Sequence, residues 1–574
     1  MLLTSPLIKK YIYLYRYKLA LGSLFVIATN LFILLIPRTF KYAVDAIRDY
    51  QMPALLHSVE LILVYALLAG ISRFFMRNIL FSAGRYIEQD IRNDFFEQLL
   101  RLPQSYYQQM KAGDLLSRAL HDMDHLRYLF GHVTMHVTNI ISLYLFAVVS
   151  LATIYLPLTI LAIIPFPLLF LATRYYSKIF FSQYKEVMEK MATITVSLQE
   201  IFSSISAIKA YTREEHVRER FVTANDGYVQ SNLKLVKTSS MYHPFISLFT
   251  SLSAIIILWL GGILVIKGTM SLGSFVAFNG TLVFLIQPTI FIGWVVNLYQ
   301  RSRASVARIE EVLYHPEIIE NAPETDYSIT ELPGDITIRN LSYTYSGSSA
   351  EVLTDINIEI KSGQMVALIG EVGSGKSSLL QVMQRIYNPP RSTVFFDTNE
   401  LYTIPLSTLY SETSYVSQEP IIFSGTIREN IAYYNPELPF SDIQAAAVFA
   451  YLEKDILSFD QGYDTIVGEH GITLSGGQKQ RLAIARAIIK KPKVLFIDNA
   501  LSSVDTETEE HILRNLLTLK STMTTLIVAH RVSTLKHCDN IILMDQGKIV
   551  AQGTHEALLE KNNLYKVIYE KQKL

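Results

Sequence analysis

The chain has 574 residues, of which 50% are hydrophobic and only 18% charged. Its mean hydropathy of +0.26 excludes a wholly water-exposed protein and requires membrane-embedded segments beside any soluble part. The 51 basic and 51 acidic residues cancel, which argues against a nucleic-acid partner, and the single cysteine, Cys538, excludes an internal disulfide or a cysteine-built metal centre.

Residues 19–37 carry no charge and are long enough to cross a bilayer. They lack a small-residue cleavage site, so no cleavable leader is expected. Residues 55–80 make a second span despite Glu60, Arg73 and Arg77. Residues 131–173 are again uncharged, too long for one crossing, and interrupted at Leu156-Pro157; they read as two helices joined by a short external turn. Residues 238–266 and 268–300 form a last pair around Lys267-Gly268-Thr269, giving six spans. The segments between them, 81–131 and 174–237, hold many basic residues, among them Arg85, Arg92, Arg101, Lys178 and Lys209, whereas the opposite loops hold fewer, Arg38, Lys41, Arg48 and Lys267. That bias places the long segments, the N-terminus and the C-terminal half in the cytoplasm. The helical spacing of Ile91, Phe95, Leu99 and Leu102 extends the second span well past the bilayer. Asn30, Asn139, Asn279, Gln287 and Asn297 lie within spans, where they serve either a substrate path or helix–helix hydrogen bonds. The expected division is a membrane part over residues 1–315, a turn-rich linker over 316–333, and an α/β domain over 334–574.

In the second half an apolar run at 365–369 gives way to Gly370-Glu371-Val372-Gly373-Ser374-Gly375-Lys376-Ser377 and then Ser378. This is the GxxxxGK[ST] pattern in its required strand–turn–helix setting. The glycines let backbone N–H groups close round the β- and γ-phosphates of ATP, and the helix N-terminus adds positive potential. Lys376 would reach phosphate oxygens and Ser377 would ligate Mg²⁺. Val494-Leu495-Phe496-Ile497-Asp498 is an apolar strand that delivers a carboxylate to the same Mg²⁺. Between these two elements, Ser475-Gly476-Gly477-Gln478 is a second glycine turn that opens a helix, hence a second anion site.

One monomer rarely needs two such sites. Leu474 to Gln478 closely resembles the LSGGQ signature of ATP-binding cassette (ABC) proteins, and with six preceding spans the chain resembles a half-size ABC exporter throughout. The resemblance implies a type-1 exporter membrane bundle followed by an α/β P-loop cassette. Two cassettes face head to tail, and each signature acts in trans on the partner's ATP. Tyr345 matches the aromatic that stacks on adenine. Gln418 matches the Q-loop residue that touches Mg²⁺, and Asp505 the D-loop. His530 matches the switch histidine, and 467–469 the exporter-specific stretch. Residues 113–118 and 205–211 match the two coupling helices.

Asn499 departs from the pattern, because the family normally has a glutamate there as general base. An amide orients water but takes no proton, and general-base help is worth about 10²–10⁴-fold. The resemblance is nearest to the degenerate-site halves of heterodimeric bacterial multidrug-resistance-like exporters. The expected function is therefore ATP-driven export of hydrophobic or amphipathic molecules across the bacterial cytoplasmic membrane, with a second half-transporter and membrane lipids as partners. A lipid flippase, a homodimer and a regulatory ATPase without transport are the competing expectations.

Overall fold

The computed structural model describes residues 4–573 other than 317, 346, 347, 349, 469–472 and 530. It forms two compact units: Met1–Leu100 with Gly113–His315, and Arg101–Ala112 with Pro316–Leu574.

The first unit is helical. Its elements are α1 (Pro6–Arg48), α2 (Met52–Arg101), α4 (Ala112–Ser117), α5 (Met123–Tyr128), α6 (Thr134–Ile163), α7 (Pro165–Ser203), α8 (Ile205–Ala210), α9 (Glu214–Ile256), α10 (Gly262–Ile266) and α11 (Leu272–Leu313); α3 (Gln104–Gln109) falls in the second unit. Single π-helical turns at Arg118–Asp122 and Leu129–Val133 join α4, α5 and α6 into one run. The stretches Pro6–Arg48, Met52–Arg101, Ala112–Leu168 and Leu272–Leu313 are long and apolar enough to cross a membrane, and Ser251–Ile266 is a shorter apolar helix. The turn expected at Leu156-Pro157 lies one residue earlier, at Tyr155 (φ −162°, ψ 103°). There proline's missing N–H and the bias it imposes on the preceding chain interrupt the helix.

Hydrogen bonds pin α1 to α11 at both ends. Ser5 caps α1 and donates to Glu310 Oε1 (2.6 Å), which also accepts from the Leu7 N–H (3.2 Å). At the far end Asp45 accepts from the Gly273 N–H and from Ser271 Oγ, both at 2.9 Å. Asn30 takes the helix-bridging role, donating to Asn139 O (3.2 Å) and Ser142 Oγ (2.7 Å) of α6, whereas Asn279 and Gln287 are exposed.

The second unit is α/β. Its strands are β1 (Ile336–Thr344), β2 (Glu351–Ile360), β3 (Met365–Ile369), β4 (Val394–Phe396), β5 (Asn399–Glu400), β6 (Thr413–Val416), β7 (Gly425–Thr426), β8 (Ile466–Val467), β9 (Val494–Asp498), β10 (Thr524–Val528), β11 (Asn540–Asp545) and β12 (Lys548–Gly553). The main sheet has the order β12-β11-β3-β10-β9-β6, and β2-β1-β4-β5 forms a second sheet. β3, β9 and β10 are buried along their whole length, which is why they read as unbroken apolar runs rather than alternating ones. The helices α12 (Lys376–Met383), α13 (Leu406–Glu412), α14 (Ile427–Ile431), α15 (Phe440–Phe449), α16 (Glu453–Ser458), α17 (Gly476–Ile488) and α18 (Thr506–Thr518) complete the part that positions the site.

Residues 318–333 pack into this unit rather than hanging free. Asn321 Oδ1 accepts from the Leu406 N–H (2.9 Å), the Asp326 N–H donates to Thr403 O (2.8 Å), and Leu332 is fully buried. The short helix that belongs with the nucleotide unit is α3, just upstream of the segment 113–118 matched by resemblance. Extended backbone at Pro103 (ψ 159°) and Met110 (ψ 132°) isolates α3, while 113–118 opens the long run of the first unit.

A Cβ at Gly273 would lie 2.2 Å from Lys41 O, whereas one at Gly280 meets Pro37 at an ordinary 3.6 Å. Gly273→Ala should therefore cost about 1–3 kcal/mol and lower the detergent-solubilised protein's apparent Tm by several degrees, with Gly280→Ala nearly silent. Cys538, partly exposed as a residue, turns its Sγ onto Thr534 O (3.3 Å), and burial pushes its thiol up to about 12. The neutral thiol's stabilising contribution holds below its unfolded pKa and is lost as pH climbs toward 12. At pH 8 a maleimide should label the native chain at least about a hundredfold more slowly than the denatured chain.

Candidate functional site

The glycine loop leaves the C-terminal end of β3 and runs straight into α12. Gly370 (φ 152°), Gly373 (φ 85°) and Gly375 (φ 96°) supply backbone angles that side-chain-bearing residues resist. At Gly370 a Cβ would meet Met544 O at 2.1 Å, so glycine is also dictated there by space. Glu371 and Val372 stand exposed at the tip, and Ser374 is buried. Lys376 folds back under the loop, its ammonium donating to Gly370 O (3.0 Å), Glu371 O (2.7 Å) and Ser374 Oγ (3.1 Å). Burial lowers its pKa, and the charge of Asp498 opposes that shift.

The parallel sheet brings the other parts to the same edge. Val528 pairs with both Leu368 and Asp498, and Val416 pairs with Ile497. Ser377 Oγ donates to Asp498 Oδ1 (2.9 Å), so the loop hydroxyl and the strand carboxylate meet directly. Gln418 follows β6 at this edge and is exposed. Tyr345 donates to or accepts from Ser378 Oγ (2.7 Å) and sets its ring edge-on to Tyr387 (centroids 5.0 Å apart), leaving it part-exposed beside the loop helix. Asn499 directly follows Asp498 with φ 52°. His530 lies outside the described residues, as does Glu469 of the exporter-specific stretch; the described strand β10 ends just before that histidine.

The second glycine turn caps α17. Ser475 Oγ accepts from the Gln478 N–H (3.3 Å) and Gln478 Oε1 accepts from the Ser475 N–H (3.0 Å), a reciprocal capping box. Asp455 holds Gln478 Nε2 (3.0 Å) and Arg481 (2.8 Å). Gly476 and Gly477 lie against Ser503, whose carbonyl oxygen would be 2.9 Å from a Cβ at Gly477. Asp505 caps α18 by accepting from the Thr508 N–H (2.9 Å), and that backbone bond holds its carboxyl below the usual range.

Two residues escaped sequence reasoning. Tyr415 donates to Asp498 Oδ2 (2.8 Å), fixing the oxygen that Ser377 leaves free, and burial beside that carboxylate raises the phenol's pKa. Strand alternation on β6 was the available signal, since Tyr415 and Val416 point to opposite faces. Gln480, buried, accepts from the Ser503 N–H (2.9 Å) and donates to Ser502 Oγ (3.3 Å). It ties the signature helix to the segment that follows Asn499.

The family model of the ABC transporter transmembrane region matches residues 19–289, and that of the ABC transporter matches residues 353–502. The uncharacterized ABC transporter ATP-binding protein YknU of Bacillus subtilis (strain 168) is 33% identical over 99% of this chain and 97% of its own length. The probable multidrug resistance ABC transporter ATP-binding/permease protein YheI of the same strain is 31% identical over 98% of this chain and 96% of its own. An ATP-dependent lipid A-core flippase of Aromatoleum aromaticum (strain DSM 19018 / LMG 30748 / EbN1) is 34% identical over 89% of this chain and 84% of its own. A solved bacterial Atm1-family ABC exporter with ATP bound superposes with a TM-score of 0.77 over 99% of this chain and 98% of that one, at 22% identity, a likeness of fold.

Removing the buried Gln480 side chain abolishes both of its bonds to the exposed Ser502–Ser503 segment. Gln480→Ala should destabilise the second unit by about 1–3 kcal/mol, read as earlier urea unfolding, while Gln480→Glu, which keeps the acceptor, should recover part of that loss.

Proposed function

The chain belongs to the ABC transporter family, carrying transmembrane region and cassette in one polypeptide, and from that premise we propose that it is the degenerate-site half of a heterodimeric exporter. As a family member it is a multi-pass membrane protein that binds ATP and couples it to export. The finer reading rests on one observation: an amide, Asn499, directly follows the strand-end carboxylate Asp498, while the Ser475–Gln478 capping box is whole.

On this reading the chain's own site grips ATP and hydrolyses it slowly. Tyr345 stacks on adenine, the N–H groups of Gly370 to Ser378 and Lys376 hold the phosphates, and His530 contacts the γ-phosphate. The hydroxyl of Ser377 and the carboxylate of Asp498, in contact at 2.9 Å, are hard oxygen donors that suit Mg²⁺; Gln418 would complete the protein's share. Bound Mg²⁺ neutralises phosphate charge. Tyr415 keeps the Asp498 carboxylate oriented. Asn499 positions water without accepting its proton. Ser475, Gly476, Gly477 and Gln478, together with Asp505, serve the competent site of the partner half. Closure of the cassettes reorients the spans from inward- to outward-facing in the bacterial cytoplasmic membrane.

The names of relatives range over multidrug resistance, a lipid A-core flippase and leukotoxin translocation, so they leave the transported class open.

Co-reconstituted with a half-transporter that keeps the glutamate, Ser475→Ala should lower ATPase turnover at least tenfold, whereas Asn499→Glu should change it less than about threefold. Should the chain alone hydrolyse ATP at the rate of the pair, with Asn499→Glu giving no gain against the ~10²–10⁴-fold worth of a general base, the degenerate-site reading fails.

A further inference from the structure

The first unit encloses a cavity of about 730 Å³ between the run α5–α6 and the helices α7, α9 and α11. One wall is aromatic: Tyr176, Phe180 and Tyr184 recur every fourth residue on α7 and face Trp294 of α11. Asn297, the remaining candidate for a substrate path, also lines it. The ionisable residues of the lining are Arg301, His125 and His132, together with tyrosines; none is a carboxylate. The nearest acids are already engaged. Buried Asp122 accepts from Ser305 Oγ (2.7 Å) and Arg308 Nε (2.8 Å), and Asp124 pairs with Arg127 (2.7 Å). The π-helical turns Arg118–Asp122 and Leu129–Val133 bracket the lining residues His125 and Tyr128, and such turns recur at functional sites.

The sign of charge is the same deeper in the bilayer. Residues 19–37, 131–173, 238–266 and 268–300 carry no formal charge, while α2 contributes Arg73 and Arg77. Arg77 lies within electrostatic range of His136, whose ring stacks on Phe291 (5.3 Å) and meets Trp294 edge-on (5.2 Å). Among the described residues no carboxylate pairs with Arg73, Arg77 or Arg301. Arg73 and Arg77 fall within the 55–80 span, where unpaired cations are costly and mark a ligand path, and Arg301 sits one residue past the 268–300 span.

We propose that this cavity takes an anionic amphiphile with a planar or aromatic apolar body, its charge set toward Arg301, with Arg77 outside the lining beyond His136, and its body against the aromatic wall. The proposal rests on the export reading above and names its substrate class. A cation there meets the like charge of Arg301 and, apart from the aromatic faces, no lining carboxylate to pair with it. An anion gains ion pairs in a site of reduced dielectric, which favours it by at least about tenfold.

The chain has two tryptophans, so Trp259→Phe leaves Trp294 as the sole reporter inside the full-length protein. In phosphatidylcholine nanodiscs, 8-anilinonaphthalene-1-sulfonate should quench Trp294 saturably and bind at least about tenfold more tightly than ethidium. Arg301→Gln should weaken the sulfonate about tenfold, and Arg301→Lys should restore most of it. Phosphatidylglycerol in the disc that competes with the dye assigns an anionic lipid as the source of the ligand; no competition assigns a free amphiphile. Ethidium binding as tightly as the sulfonate, or sulfonate binding unmoved in both Arg301→Gln and Arg77→Gln, overturns the proposal. ATP-dependent dye uptake into vesicles containing the pair separates the two readings, since export that persists without anion preference leaves the export reading intact.

Discussion

The nucleotide unit depends on the register of four parallel strands. Val366, Leu526, Phe496 and Tyr415 form one row across β3, β10, β9 and β6. Two residues on, Leu368, Val528 and Asp498 form the next. Everything chemical hangs from this alignment, because the glycine loop and the Asp498 carboxylate emerge at one edge from β3 and β9, which flank β10. A slip of one residue in β9 would turn Asp498 to the opposite face and break its bonds to both Ser377 and Tyr415. Complete burial of β3, β9 and β10 is what fixes the register, since no slipped alternative leaves the polar end of β9 at the edge.

The backbone at Asn499 carries a second constraint. Its φ of 52° is left-handed, a region that asparagine enters with less strain than glutamate. Strain of about 1–3 kcal/mol is commonly stored at functional positions. Asparagine here therefore relaxes the strand end while surrendering a proton acceptor. On the degenerate-site reading proposed above, the residue that gives up general-base chemistry is also the one that fits this backbone with less strain. The whole signature box, by contrast, is tied through Gln480 to Ser502 and Ser503, so this turn is rigidly mounted.

Legibility from sequence tracked how local each requirement is. The glycine loop, Ser377, Asp498 and the signature turn are short backbone demands, and their residues are visible as such: Gly370 and Gly477 are glycines because neighbouring carbonyl oxygens leave no room for a Cβ. The uncharged stretches were equally plain, since hydrocarbon tolerates little else. Tyr415, Gln480 and the cavity wall on α7 were not legible, because each acts through a partner far away in the chain. The membrane-depth asparagines illustrate the same limit. Asn30 bonds α6 and Asn297 lines the cavity, and only the neighbours that folding supplies distinguish the two uses. The matched segment 113–118 largely coincides with α4, while the short helix α3, bounded by extended backbone at Pro103 and Met110 rather than by any pattern of side chains, was not legible.

That same helix makes the nucleotide unit discontinuous along the chain, for Arg101–Ala112 belongs with Pro316–Leu574 and the Ile319 N–H closes on Arg101 O at 2.8 Å. Vectorial synthesis exposes the consequence. At 5–20 residues per second the ribosome delivers α3 about 10 to 40 s before the first strand it joins. Until then the segment is an orphaned fragment of a domain not yet made. The cassette is thus finished by recapturing an early-born piece, so its assembly is timed by translation of the membrane helices in between, and a cassette expressed from Pro316 onward would lack a piece of its own interior.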